Sequence, residues 1–152
     1  MRLMLPIPDS WERREVPGRA QYCPVGAEGL TVEVGPMVVR AELPEDLLER
    51  GLRPGERLMD ARSIDHSTQS GWPLRIRQAA VVDAHGVTCE YRVVASYTFL
   101  IFATAILVRS PSEELYESQK AEIIAVFERA QPWLRRVEPA AIHELYDLEE
   151  SL

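Results

Sequence analysis

The chain has 152 residues, enough for one domain of ordinary size, which on folding buries roughly 70% of the surface its unfolded form exposes. Apolar residues make up 46% and charged residues 27%, a globular balance that excludes a fibrous repeat and a chain too polar to bury a core. Seventeen Lys and Arg against twenty-four Asp and Glu leave a net charge of -7, which repels phosphate backbones and argues against a nucleic-acid partner.

The opening MRLMLPIPDSWERRE holds a short apolar run interrupted by Pro6 and Pro8, with no small-residue cleavage site after it, so no secretory signal is expected and the chain reads as cytoplasmic. The same prolines suit an edge strand or extended segment, because they cannot donate to a central ladder. Leu30 to Val34 and Met37 to Leu43 are two β-rich runs broken by Gly35 and Pro36, a pattern that predicts a hairpin. LPEDLLERGL predicts a short helix, with Pro44 in its first turn, Glu45 and Asp46 where the helix dipole favours negative charge, and Gly51 as its stop. From Arg53 to Gly71 the chain is polar and carries the turn signals RPGE and HSTQSG, which read as a connecting region with room for one short strand. WPLRIRQAAVV and VTCEYRVVAS then read as two strands joined by DAHG, Asp83 to Gly86. Arg75 and Arg77 alternate with Leu74, Ile76 and Gln78, so the first of these strands should have one wet face and one buried face.

The stretch EYRVVASYTFLIFATAILVRS, Glu90 to Ser110, has no formal charge between Arg92 and Arg109. A membrane-crossing helix needs about twenty apolar residues, and this run is shorter. It also carries Ser96, Thr98 and Thr104 and is rich in branched and aromatic side chains, which favour a pleated surface. One straight strand would reach roughly 70 Å at about 3.3 Å per residue, far beyond ordinary strand length. Two strands are therefore expected, Thr88 to Ser96 and Phe99 to Arg109, with the chain reversing near Tyr97 and Thr98.

SPSEELYESQKAEIIAVFERAQPWLRR predicts the long C-terminal helix. Ser112 or Ser110 can cap it, Glu113 and Glu114 sit in its first turn, and Tyr116, Ile123, Phe127, Ala130 and Leu134 recur on one face, with Pro132 as its end. The elements add up to one α+β domain over residues 1–138, an antiparallel β-sheet flanked by helices, followed by an acidic tail or short helix over 139–152.

The residues offer little chemistry. Cys23 and Cys89 form no CxxC pair, so two reduced thiols are expected, with Cys89 a small buried hydrophobe. Asp83 and His85 are explained by a tight turn, and three histidines in separate segments do not make a zinc site. No phosphate-binding glycine loop occurs, and no metal or cofactor is expected. Asp65 and His66, with Ser63, Ser67 and Ser70 nearby, contain the residue types of a catalytic triad, but a triad is not assembled from sequence neighbours and no GxSxG elbow is present. A small enzyme or ligand-binding domain with this loop as one wall of a pocket is kept as an alternative.

Two surfaces suit a protein partner. Trp11 with Arg13 and Arg14, and Trp133 with Arg135, pair the residue types that dominate interface energies. Tyr91, Val93 and Tyr97, continued by Phe99 and Ile101, line one side of the apolar strands, opposite Arg92, Val94, Ser96 and Thr98. If the chain's own helices leave one side bare, that side is a partner site.

LPIPDSW near the start, SGWPLR before a hairpin, YRVVASYTFLIFATAILVR and the closing EELYESQKAEIIAVFERAQPW resemble the PsbP-like superfamily, in particular its DcrB-like branch, which includes chaperones for type VI secretion effectors. The resemblance implies a sheet sandwiched between helices in an α/β/α arrangement, used for binding rather than catalysis and often as a homodimer that shields an apolar segment of an effector. The region between Leu43 and Trp72 is shorter than in that branch. Ser70, Gly71, Trp72 and Pro73 match a structural loop, so no catalytic residue is carried over. The expectation is a non-enzymatic cytoplasmic adaptor or chaperone; a structural subunit of a larger assembly is the further alternative.

Overall fold

A computed structural model describes residues 2–17 and 19–133. Its centre is an antiparallel sheet built from β2 (Trp11–Val16), β3 (Arg19–Pro24), β4 (Thr31–Val34), β5 (Val38–Val39), β6 (Arg57–Ser67), β7 (Pro73–Val82), β8 (Thr88–Phe99) and β9 (Phe102–Ser110). Across the sheet the order is β2-β3-β4-β9-β8-β7-β6, with β5 also on β9. The helix α1 (Glu113–Glu128) follows, and β1 (Arg2–Met4) pairs with β10 (Gln131–Trp133) in a separate small ribbon.

The uncharged stretch forms the two central strands, β8 and β9, paired from Tyr91↔Ser110 to Phe99↔Phe102. The reversal falls at Leu100 and Ile101, three residues later than expected, so β8 runs on through Tyr97 and Thr98. Leu100 holds φ +57 there, a left-handed conformation normally taken by Gly or Asn, so a leucine stands where a turn residue would otherwise mark the place. The β7–β8 hairpin is as expected, and Asp83 builds its turn: its carboxylate accepts the backbone N–H groups of His85 (2.8 Å) and Val87 (3.0 Å).

Four expectations are corrected. Leu30–Val34 and Met37–Leu43 do not form a hairpin: β4 pairs with Ile106–Arg109 and β5 with Phe102–Ala103, so both lie along the same edge of β9. Gly35 carries the chain onward between them, its N–H donating to the Ala105 carbonyl at 2.9 Å. LPEDLLERGL forms turns rather than a helix, because its apolar residues are drawn down onto the sheet instead of completing a helical face. Arg53 to Gly71 is not mainly connection, since it contains the eleven-residue strand β6. As an edge strand exposed along most of its length, β6 lacks the apolar alternation that would reveal it. Lastly, the sheet is not flanked by helices on both faces; among the described residues one α-helix covers one face.

Strands β2 and β3, WERREV and RAQYCP, are paired from Trp11↔Pro24 to Val16↔Arg19 and have too few buried side chains to show in the sequence. The helix α1 is capped by Ser112, whose hydroxyl accepts the Leu115 N–H at 3.1 Å. It ends at Glu128, before Pro132, because Gln131–Trp133 pairs with β1. The expected tail or short helix over 139–152, with Leu134, lies outside the described residues.

The main core lies between the sheet and α1. Tyr91, Val93, Ala95, Tyr97 and Phe99 of β8 and Ile106 and Val108 of β9 meet Tyr116, Ile123, Val126 and Phe127 of the helix. Tyr97 Oη donates to the Phe127 carbonyl at 2.8 Å, and the Tyr91 and Tyr116 rings lie 5.3 Å apart. Gln69 N–H donates to the Glu128 carbonyl at 2.7 Å, which ties the β6–β7 loop to the end of α1. Among the described residues no helix is long and apolar enough to cross a membrane.

Candidate functional site

The second face of the sheet is covered differently. Residues 44–52, the turns that replace the expected helix, lie across it as a strap. Leu48 is fully buried there against Ala79 and Val94, with Leu47, Leu58, Ala105 and Leu107 partly buried around it. Arg92, only 3% exposed, donates from Nη1 to the carbonyls of Leu48 (3.2 Å) and Arg50 (2.6 Å) and from Nε to the Glu90 carboxylate. Arg109 donates to the other side of the same carboxylate, Nη2 to Oε2 at 3.0 Å. Arg77 ties the other end of the strap, from Nη1 to the Glu45 carbonyl (3.2 Å) and from Nη2 to Glu49 (3.0 Å).

The strap covers only part of this face. Beside it lies an open groove with a volume of about 810 Å³. Val94, Ser96 and Thr98 of β8 and Ala103 of β9 lie along it, and Leu43, Pro44 and Leu47 form an apolar wall. Ser63, Asp65, Arg75 and Arg77 border it from β6 and β7, and Arg40 borders it from the turn after β5. The site thus combines aliphatic surface with hydroxyl and guanidinium donors, a mixture that can hold an extended segment by its side chains and its backbone carbonyls. Its charged groups are largely engaged: Asp65 Oδ1 accepts from Arg75 Nε at 2.8 Å, and Glu49 accepts from Arg77.

At one end the groove approaches the β8–β9 turn: Thr98 and Ala103, which line it, are a strand pair close to that turn, and the Arg40 N–H donates to the Ile101 carbonyl at 2.7 Å. Leu100 and Ile101 are exposed by 69% and 54%, two adjoining aliphatic side chains left in solvent.

The expected site residues divide accordingly. Tyr91, Val93, Tyr97 and Phe99 are buried beneath α1 and offer no open face; Ile101 alone of that group is exposed. Burial pushes the Tyr97 and Tyr116 hydroxyls well above the ordinary tyrosine range, with Tyr91 and the Glu117 carboxylate adding to the effect at Tyr116. Trp11 is buried in the main core with its indole N–H without a partner among the described residues, while Arg13 and Arg14 stand exposed on edge strand β2. The side chain of Trp133, and Arg135, lie outside the described residues.

Asp65 and His66 both border the groove but are adjacent on one strand, where successive side chains leave opposite faces. Asp65 is already occupied by Arg75. Ser70 lies in the β6–β7 loop, which Thr68 organises: its hydroxyl accepts the Trp72 N–H at 3.0 Å and its own N–H donates to the Trp72 carbonyl at 2.8 Å. Trp72 then meets Phe99 edge-on at 5.4 Å, so SGWP has a structural role in this fold.

Cys89 is exposed rather than buried. Partial desolvation, with the Glu56 carboxylate accepting from Sγ at 3.2 Å, pushes its thiol above the usual range. Cys23 is free as well. Among the described residues no group of three or more His, Cys, Asp or Glu is placed to hold a metal ion. Sequence reasoning missed Arg92, whose role depends on a strap that it expected to be helical, and Arg40, which borders the groove from the turn after β5.

No family model matches the chain, and no curated protein matches it either. Among solved structures it is similar to the cyanobacterial PsbP (CyanoP) of Synechocystis sp. PCC 6803, determined in solution, with a TM-score of 0.57 over 86% of each chain at 10% identity. At that identity the likeness concerns the fold: a PsbP-like, mostly antiparallel sheet with one helix on one face.

Proposed function

We propose that the protein is a non-enzymatic cytoplasmic adaptor that binds an apolar segment of a partner protein in the groove on the second sheet face. The observation that carries this reading is the unequal cover of the sheet. One face is sealed by α1, and the other keeps an open groove that runs up to the exposed Leu100 and Ile101. What supports binding over catalysis is that Asp65 and Arg75 of the lining pair with each other and Arg77 pairs with Glu49. The DcrB-like resemblance suggests the kind of partner, a secreted effector with an apolar segment to shield, and so a chaperone or accessory role in type VI secretion.

Co-expression with neighbouring gene products, followed by purification, tests the reading. A partner should be recovered by the wild-type chain, lost with Thr98→Arg, which fills the groove, and kept with Glu117→Ala on the solvent side of α1. Recovery that is indifferent to Thr98→Arg would place the binding surface elsewhere.

A further inference from the structure

The apolar wall of the groove, carried by residues 43–47, is held unevenly along its length. Upstream the chain is fixed where the Arg40 N–H donates to the Ile101 carbonyl at 2.7 Å. Downstream it is fixed by Arg92, 3% exposed, through the carbonyls of Leu48 and Arg50. Between these points the sheet holds the wall through Arg77, whose Nη1 donates to the Glu45 carbonyl at 3.2 Å. Glu49, on the anchored side, steadies the same guanidinium by accepting from Nη2 at 3.0 Å.

The two kinds of hold differ in strength. Arg92 works from a buried position, whereas the Arg77 and Glu49 side chains are 31% and 40% exposed, and ion pairs open to solvent contribute little and weaken with salt. The closed arrangement also carries a cost, because Glu49 Oε2 is shut away from solvent with no donor among the described residues. Val94 lies both in the groove and beneath the strap, against Leu48, so the floor of the groove continues under the wall. Arg77 itself borders the groove, so a backbone carbonyl of a segment lying there competes with Glu45 for the same donor.

We infer that residues 43–47 are a hinged wall, latched by Arg77 and pivoting between Arg40 and the Arg92 anchor, and that a partner segment enters the groove by releasing this latch. This rests on the reading of the groove as a segment-binding site. It makes the latch a regulator: apparent affinity is reduced by the fraction of molecules whose wall is closed. Glu49 acts as a positioning residue, since it holds Arg77 and does not itself border the groove.

The test uses the full chain. Nitroxides at Asp46→Cys on the strap and Glu117→Cys on α1, in a Cys23→Ser, Cys89→Ser background, report the position of the wall by electron–electron distance measurement. The probe is an uncharged, fluorescein-labelled decapeptide of leucine, alanine and serine, followed by fluorescence anisotropy. Glu49→Ala should bind it several-fold more tightly than wild type, and raised salt should bring wild type towards the variant. A longer second distance should grow with Glu49→Ala, with Arg77→Met and with added peptide, while a label at Arg50→Cys, on the anchored side, keeps its distance. A strap that moves at Arg50 together with Asp46 overturns the hinge. Peptide binding that is indifferent to Glu49→Ala and leaves the Asp46 distance unmoved ends this inference alone, whereas a peptide bound by neither wild type nor the latch variants ends the groove reading with it.

Discussion

Replacing Arg92 by Met tests whether a buried cation holds the strap on the sheet. Met keeps much of the aliphatic volume, so the change removes the guanidinium without opening a large cavity. Three interactions are lost: donation to the Leu48 carbonyl at 3.2 Å, to the Arg50 carbonyl at 2.6 Å, and the contact with Glu90. Breaking a buried ion pair costs about 3–5 kcal/mol when the partner is left stranded. Glu90 is not stranded, because Arg109 still donates to both of its oxygens, at 3.2 and 3.0 Å. The two carbonyls remain as the main loss, at about 1.5 kcal/mol each for bonds to a charged donor, so the expected cost is about 3 kcal/mol. Urea denaturation followed by tryptophan fluorescence reads this as a lower midpoint at unchanged slope. Hydrogen exchange should localise the loosening to residues 44–52, with Tyr116 and Phe127 still protected. Arg109→Met, at a half-exposed site, should cost below about 1 kcal/mol. An Arg92→Met protein within about 0.5 kcal/mol of wild type, or one whose helix loosens together with its strap, would refute the assignment of Arg92 as the strap's anchor.

The two buried tyrosines should respond in opposite directions. Tyr97→Phe strands the Phe127 carbonyl and should cost about 1–2 kcal/mol, whereas Tyr116→Phe removes a buried hydroxyl with no partner among the described residues and should be neutral or stabilising, as urea midpoints would show. Both hydroxyls are held neutral in the fold, with pKa values raised above the unfolded value of about 10. Their contribution is therefore complete below that pH and is lost as pH rises beyond it, and the double Phe variant should lose stability less steeply in an alkaline titration. Leu100→Asn relieves the left-handed conformation at φ +57 and should stabilise the protein by about 0.5–1 kcal/mol, and a lower melting temperature would argue against strain there. Cys89, though exposed, should react slowly with iodoacetamide near neutral pH because its thiol is pushed up, and Glu56→Gln should move the midpoint of its pH–rate profile downward.

Elements that bury one side at a regular period could be read directly. The α1 face of Tyr116, Ile123 and Phe127, the Ser112 cap, the Asp83 turn and the strand character of Glu90 to Ser110 follow from local patterns that the fold respects. β6 and β2 could not be read, because edge strands show their side chains to water and lose the alternation that marks a strand, and β3, between β2 and β4, fully buries only Pro24. The late turn at Leu100 escaped for another reason: the long β8–β9 register imposes a left-handed φ that a leucine would not choose alone.

By itself, then, the sequence determined that the uncharged stretch is strand, that a capped amphipathic helix follows it, and that no familiar catalytic or metal motif is present. Which sheet face would be sealed was decided only by the tertiary structure. Both faces of β8 are apolar enough to be buried, and local pattern cannot rank them. The choice depends on where α1 docks and on how far the strap reaches. Arg92 shows the difference most clearly: in the chain it is a charge at the margin of an apolar run, and in the fold it is a buried anchor whose acceptors, Leu48 and Arg50, lie more than forty residues away.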